Sequence, residues 1–155
     1  MAAPVTIRIQ DADFDIAAEI DALSHGRSEI GAVVSFTGLC RGRDEDRDVV
    51  ALTLEHYPGM AEAEIRRHVD TALARWPLSA VTVIHRVGRI VPGERIVLVV
   101  TASAHRQAAF AAAEFLMDYL KAHAPFWKRE ERAGGSAWVE AHQHDDAAAA
   151  RWEKE

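Results

Sequence analysis

Apolar and polar residues alternate with period two from Val5 to Ile9, and that alternation predicts a short strand. Asp13 can cap a helix that runs through Phe14, Ile16, Ala17, Ile20 and Leu23 and ends near Gly26. The β-branched run Ala32–Thr37 predicts a second strand, after which Gly38 opens a charged, mobile loop to about Asp48, residues 43–48 of it reading as a solvated hairpin connection. Val49 to Tyr57 alternates again and is closed by the turn pair Pro58-Gly59. The period then changes. Ile65, Val69, Leu73 and Trp76 recur every three or four residues, as on the buried stripe of a helix from about Ala61 to Trp76, which Pro77 stops.

Val81 to Val87 predicts a third long strand. Past the Pro92-Gly93 turn, Ile96 to Val100 is a continuous apolar run that suits a central strand covered on both faces. The turn between these two strands predicts an antiparallel pair. Ser103 is the expected cap of a long helix reaching about Ala122, with Ala109, Ala113, Leu116 and Leu120 as its core stripe. Pro125 breaks that helix and pushes Ala124 out of the helical region, so an extended segment follows with Phe126 and Trp127 as apolar anchors. Gly134-Gly135 marks a turn, Ser136 to Glu140 a short strand, and Asp145 the cap of a last helix from Asp146 to Trp152. Strands and helices are mixed, with hairpins and no repeat or linker. The expectation is an α+β fold with a mixed, largely antiparallel sheet, residues 1–155 forming one domain.

Composition narrows the function classes. The chain has 155 residues, 49% of them hydrophobic and 27% charged, enough for one domain with a genuine core. A net charge of −6 argues against a general nucleic-acid binder while leaving room for a local positive pocket. A single cysteine excludes an intrachain disulfide and suggests a reducing compartment. The N-terminus lacks a signal-peptide pattern and no apolar run approaches membrane-spanning length, so a cytoplasmic protein that avoids membranes is expected.

The stretch from Met117 to Glu130 carries the most chemistry. It brings Lys121 at a helix end and Lys128 on an extended segment within reach of each other across the Pro125 break. Two ammonium groups held close each disfavour the other's charge, which can leave one amine partly neutral and reactive. The bland alternative is a lysine at the negative end of a helix dipole and a solvated strand lysine. His105 and Arg106 open the long helix, where free N–H groups and the dipole add to their charge and favour a phosphate or carboxylate; an exposed first turn explains them as well. Arg41 sits where a strand ends, close to the framework. Cys40 has no catalytic partner in sequence and reads best as a small apolar filler. The eight histidines form no HExxH pattern; His142-Gln143-His144 before Asp145-Asp146 reads as a solvated turn rather than a metal site.

Several blocks resemble one family. Phe36-Thr37-Gly38, Leu54 to Met60, Arg75-Trp76-Pro77-Leu78, Val83 to Gly88, Ser103-Ala104-His105-Arg106, Met117 to Lys121 and Ala124 to Glu130 together are similar to the large, catalytic subunit of molybdopterin synthase, in order from about Gly31 to Trp152. The resemblance implies an α/β hammerhead fold and a central homodimer. Each copy would bind a small ubiquitin-like subunit to make a heterotetramer. The small subunit's C-terminal Gly-Gly thiocarboxylate would enter a pocket and donate sulfur. The substrate would be cyclic pyranopterin monophosphate (precursor Z), converted in two sulfur transfers to the dithiolene of molybdopterin. Lys121 and Lys128 match the catalytic lysines. Leu39, Cys40, Arg41, His105, Arg106, Lys121, Lys128, Arg129 and Glu130 match substrate-site positions, with Arg41 acting across the dimer. Phe36 and Met117 match positions near the tail pocket. The resemblance implies no metal and no cofactor, and a sulfur that comes from the partner rather than from Cys40. Relatives often carry arginine where this chain has His142. A non-catalytic adaptor for a ubiquitin-like tail would keep the apolar groove but would not need Lys121, Lys128, His105 and Arg106 together, and a metal-dependent hydrolase would need a ligand cluster that the sequence lacks.

Overall fold

The structure is a computed structural model and describes residues 3–123, 126–139 and 143–154. Ala124, Pro125, Glu140 and His142, which figure in the expectations above, lie outside the described residues. The chain runs β1 (Val5–Gln10), α1 (Ile16–Ser24), β2 (Ala32–Leu39), β3 (Arg43–Asp44), β4 (Arg47–His56), α2 (Met60–Arg75), β5 (Leu78–Arg86), β6 (Gly88–Ile90), β7 (Arg95–Ser103), α3 (Arg106–His123), β8 (Phe126–Arg132), β9 (Gly135–Val139) and α4 (Gln143–Ala150), then a 3₁₀ turn at Arg151–Lys154. None of the described helices is long and apolar enough to cross a membrane.

Two sheets result, and the α+β expectation holds. One has the order β1-β5-β7-β2. β1 pairs with β5 in parallel, whereas β5 with β7 and β7 with β2 are antiparallel, as the Pro92-Gly93 turn predicts for the central pair. The other sheet has the order β3-β4-β8-β9, with β6 also paired to β4.

The period-two alternation of β5 sorts its side chains between two cores. Val81 and Val83 join Ile65, Val69 and Ala72 of α2 and Ala113, Phe115 and Leu116 of α3. Ala80 and Ile84 face the other way, against Phe14 and α1. Phe115, fully buried, meets Trp76 edge-on at 5.3 Å and Trp152 at 5.5 Å, so the last turn of the chain clamps α3 from outside. A third cluster of Cys40, Val49, Leu52, Leu54 and Ile90 fills the space beside the second sheet.

Several local expectations need correction. Asp15, not Asp13, caps α1, accepting from the Ala18 N–H at 3.1 Å. Asp13 instead accepts from the Phe14 N–H and from two nitrogens of Arg95 at 3.0 and 2.8 Å, which hold its carboxyl down at about 2. Ser103 stays in β7, donating to the Pro77 carbonyl at 2.8 Å, and lies 3.5 Å from the His105 N–H, too far for a strong cap. Residues 43–48 form the hairpin connection expected of them, though a tight one: Arg43 and Asp44 pair with Asp48 and Arg47 around Glu45 and Asp46, which take positive φ of 50° and 64°. In α4, Asp145 lies inside the first turn rather than before it.

Gly31 shows how the ends of β2 and β7 are fastened. Its N–H donates to the Ser103 carbonyl at 3.0 Å, and a Cβ there would sit 2.2 Å from the Ala104 carbonyl oxygen. Backbone cannot yield as a flexible side chain does. Gly31→Ala should therefore destabilise the fold by about 1–3 kcal/mol, the range of an overpacked core site. Thermal unfolding against the parent measures it; an unchanged midpoint would contradict the contact.

Candidate functional site

At its C-terminal end α3 passes over the margin of the first sheet and meets β8, leaving a pocket of about 350 Å³. Phe36 and Leu39 come from β2, Ile96 and Val97 from β7, Met117 and Leu120 from α3, and Phe126 from β8. Phe36 and Leu39 are both exposed at the rim. The polar side chains among the described lining residues are His85, Lys121, Lys128 and Asp145.

Local sequence explains these positions. Lys121 follows Met117 by four residues, so both occupy one face of α3. In β8, alternation points Phe126 and Lys128 to the pocket and Trp127 and Arg129 away from it. Trp127 is exposed, edge-on to Tyr57 at 4.9 Å, and the Arg129 guanidinium lies 5.8 Å from the centre of the Trp138 ring. Gly38 lets β2 run close beside β7; a Cβ there would be 2.7 Å from Val97 Cγ1.

Charge is unevenly spread. Lys121 keeps part of its surface in solvent, as a side chain at a pocket mouth does. The protein packed around it nevertheless desolvates the ammonium, and this pulls its pKa down. The charge of Lys128 pulls in the same direction, as does that of Arg41 more weakly, while Asp145 opposes them. His85 extends the inward row of Val81 and Val83. It stacks on Phe126 with ring centroids 4.1 Å apart and 16° between planes. Its Nδ1 lies 2.9 Å from the Arg86 carbonyl oxygen. Burial holds its pKa at about 4, and the charges of Lys121, His56 and Lys128 add to that effect against the Arg86 hydrogen bond.

The pocket thus unites Lys121, Lys128, Phe36, Met117 and Leu39 of the expected site. Other expected residues lie elsewhere. Cys40 is buried behind the pocket in the third cluster, its Sγ 3.8 Å from the Ile90 carbonyl oxygen and its pKa raised chiefly by burial, as suits a filler. Arg41 is exposed, 3.9 Å from Asp44. Glu130 is buried and held by Arg132 at 2.7 Å, which makes it a structural ion pair. His105 and Arg106 are exposed at the opposite end of α3 from Lys121, roughly 22 Å away at 1.5 Å per residue. His85 and Asp145 are additions to the expected site. A histidine in the inward register of Val81 and Val83 is the available sequence signal for the first, whereas Asp145 resembles an ordinary helix cap. Among the described residues no cluster of three or more His, Cys, Asp or Glu could hold a metal ion.

Comparison with known proteins identifies the family and the fold. The family model described as MoaE protein matches residues 9–123. The molybdopterin synthase catalytic subunit of Mesorhizobium japonicum is 66% identical over 149 residues, 95% of this chain and 92% of the relative. The solved molybdopterin biosynthesis MoaE protein from Burkholderia ambifaria superposes with a TM-score of 0.83 at 47% identity, covering 97% of this chain and 99% of that one. Molybdopterin synthase from Staphylococcus aureus superposes with a TM-score of 0.78 at 28% identity, covering 85% and 95%.

The causes acting on Lys121 have opposite signs and can be separated. Lys128→Ala removes a neighbouring cation and should raise the Lys121 pKa, so that acylation of Lys121 needs a higher pH. Asp145→Asn removes an anion and should do the reverse. Mass-spectrometric acylation profiles between neutral and alkaline pH report both; changes of the same sign would refute the electrostatic account.

Proposed function

The chain belongs to the MoaE protein family, and on that premise we propose that it is the catalytic subunit of a molybdopterin synthase, moving sulfur from the C-terminal thiocarboxylate of a small ubiquitin-like subunit to cyclic pyranopterin monophosphate. The observation that carries this reading is the convergence of Lys121 and Lys128, from a helix end and a strand, on one pocket with apolar walls. An extended tail fits such a cleft, with Phe36 and Met117 against its backbone. Lys121 neutralises the thiocarboxylate and stabilises charge as sulfur attacks the substrate. Lys128 assists proton transfer to the displaced substrate oxygen, which leaves as water. A second water cleaves the acyl–sulfur bond, so that sulfur stays on the substrate and the tail leaves as a carboxylate. Desolvation strengthens both interactions relative to water. The product is the molybdopterin dithiolene after two transfers, in the cytoplasm, and residues 1–155 act as one domain.

Substrate phosphate needs cations, and within one chain the helix length keeps His105 and Arg106 from helping Lys121. The homodimer implied by the resemblance removes this difficulty: His105, Arg106 and Arg41 act on a pocket of the second copy, where free N–H groups at the start of α3 add to their charge. A small subunit on each copy completes a heterotetramer. Of the segment expected at the substrate, Arg129 and Glu130 serve the frame of β8, while Leu39 and the backbone around Cys40 remain at the rim.

The reading is tested by reconstitution with a thiocarboxylated small subunit and precursor Z. Wild type should form molybdopterin. Lys121→Ala and Lys128→Ala should each lose about 10²–10³-fold or more in turnover while staying folded; an active Lys121→Ala protein would sink the assignment. Subunit mixing tests the second copy. Arg106→Ala and Lys121→Ala proteins, each inactive alone, should regain activity when co-assembled, and equal inactivity of the mixture would place Arg106 outside the shared site.

A further inference from the structure

His85 is more than nine-tenths buried and lines the lysine pocket, and among the described residues its Nε2 has no hydrogen-bond partner. With Nδ1 turned to the Arg86 carbonyl, the ring edge left to line the pocket is the one that carries Nε2. The ring is fixed in plane by Phe126 and in tautomer by the Arg86 carbonyl, which takes the proton on Nδ1. The lone pair is therefore on Nε2. The ring is also kept neutral, chiefly by burial, and Lys121 of α3, His56 of β4 and Lys128 of β8 further disfavour a positive charge there. Nε2 can accept a hydrogen bond and cannot donate one.

The rest of the lining defines what it accepts from. Lys121 and Lys128 are donors, Asp145 is an anion, and the other side chains are apolar. An uncharged N–H entering beside Phe126, Val97 and Met117 would lose its water, and a buried amide without an acceptor is strongly unfavourable. A peptide C-terminus presents this pair of groups: an anion for a lysine and, on the same terminal residue, an amide N–H. Resting on the reading proposed above, we propose that His85 is a binding residue that accepts a hydrogen bond from the terminal amide N–H of the incoming tail, so that the pocket selects a tail able to donate there.

A double-mutant cycle on tail binding tests this independently of turnover. The small subunit is prepared with its ordinary Gly-Gly carboxylate and, by semisynthesis, with N-methylglycine as last residue. His85→Phe retains a ring to stack on Phe126. With wild type, N-methylation should weaken binding roughly tenfold, the effect of one neutral hydrogen bond. With His85→Phe, binding of the ordinary tail should already be weaker by a similar factor, and N-methylation should add little. His85→Gln places an amide oxygen near the position of Nε2 and should restore part of the sensitivity. Equal N-methyl penalties in wild type and His85→Phe overturn the proposal, as does a loss confined to the KM for precursor Z. If His85→Phe fails to fold, ¹⁵N NMR of wild type decides: a neutral ring with the proton on Nδ1 is expected at pH 7, and a proton on Nε2 overturns it. Wild-type turnover separates the two readings, because an active enzyme without coupling sinks the role of His85 alone, and an inactive one that shows the coupling sinks only the sulfur-transfer reading.

Discussion

Two ammonium groups facing one pocket with apolar walls repel each other, and the architecture around the pocket exists in large part to keep them there. Neither lysine is placed by its own interactions. Lys121 is carried by the last turns of α3, and Lys128 by the second inward position of β8. The opposing charge of Asp145 is a partial counterweight, and His85, which could have been a further cation, is kept neutral by its burial.

The cost of that arrangement is small beside the packing that enforces it. Desolvation and the neighbouring cations weaken the hold of the Lys121 ammonium on its proton, and the solvent that still reaches the side chain keeps the cost to folding low. Against it stand the fully buried Phe115, about 1.5–3 kcal/mol by transfer alone, and its edge-on contacts with Trp76 and Trp152, each about 0.5–1.5 kcal/mol beyond buried area. β8 is tied on one side to β4 over most of its length and on the other to β9. The core is large enough to hold two like charges on one pocket, with no salt bridge to either lysine among the described residues.

Periodicity made the frame legible. The stripe Ile65-Val69-Leu73-Trp76 and the alternation of β5 follow from geometry that repeats every few residues, and the structure keeps them. A register shift between Val49 and Ala51, by contrast, breaks the alternation of β4, exposing Val50 and gathering Val49, Leu52 and Leu54 in one cluster. Features decided by single contacts were not legible. Asp13 and Asp15 are equally good caps by residue type, and Arg95, 82 residues from Asp13, decides between them. β3 and β6, of two and three residues, are too short to show a period. Phe115 falls outside the stripe chosen for α3 because Trp152, from the far end of the chain, covers its flank. The lysine pair was legible because a proline break limits how far the chain can travel between Lys121 and Lys128. Glu130 was not, since only the structure places Arg132 beside it in the interior.

Sequence also shows cations without assigning them to a pocket. Lys121, Lys128, His105 and Arg106 look like one constellation along the chain, and α3 divides them because it is a straight rod with one pair at each end. A rod of that length cannot bend its first turn back to its last, so any site that uses all four must borrow one pair from another molecule. The same helix gives each pair a different electrostatic setting. His105 and Arg106 stand at the positive end of the dipole, where free N–H groups help hold an anion. Lys121 stands at the negative end, which favours its charged form and opposes the desolvation that weakens it. A cation whose protonation is finely opposed suits bond making, and a pair reinforced by the helix suits holding a phosphate still. The division of labour proposed for the two ends thus follows the polarity of a single helix.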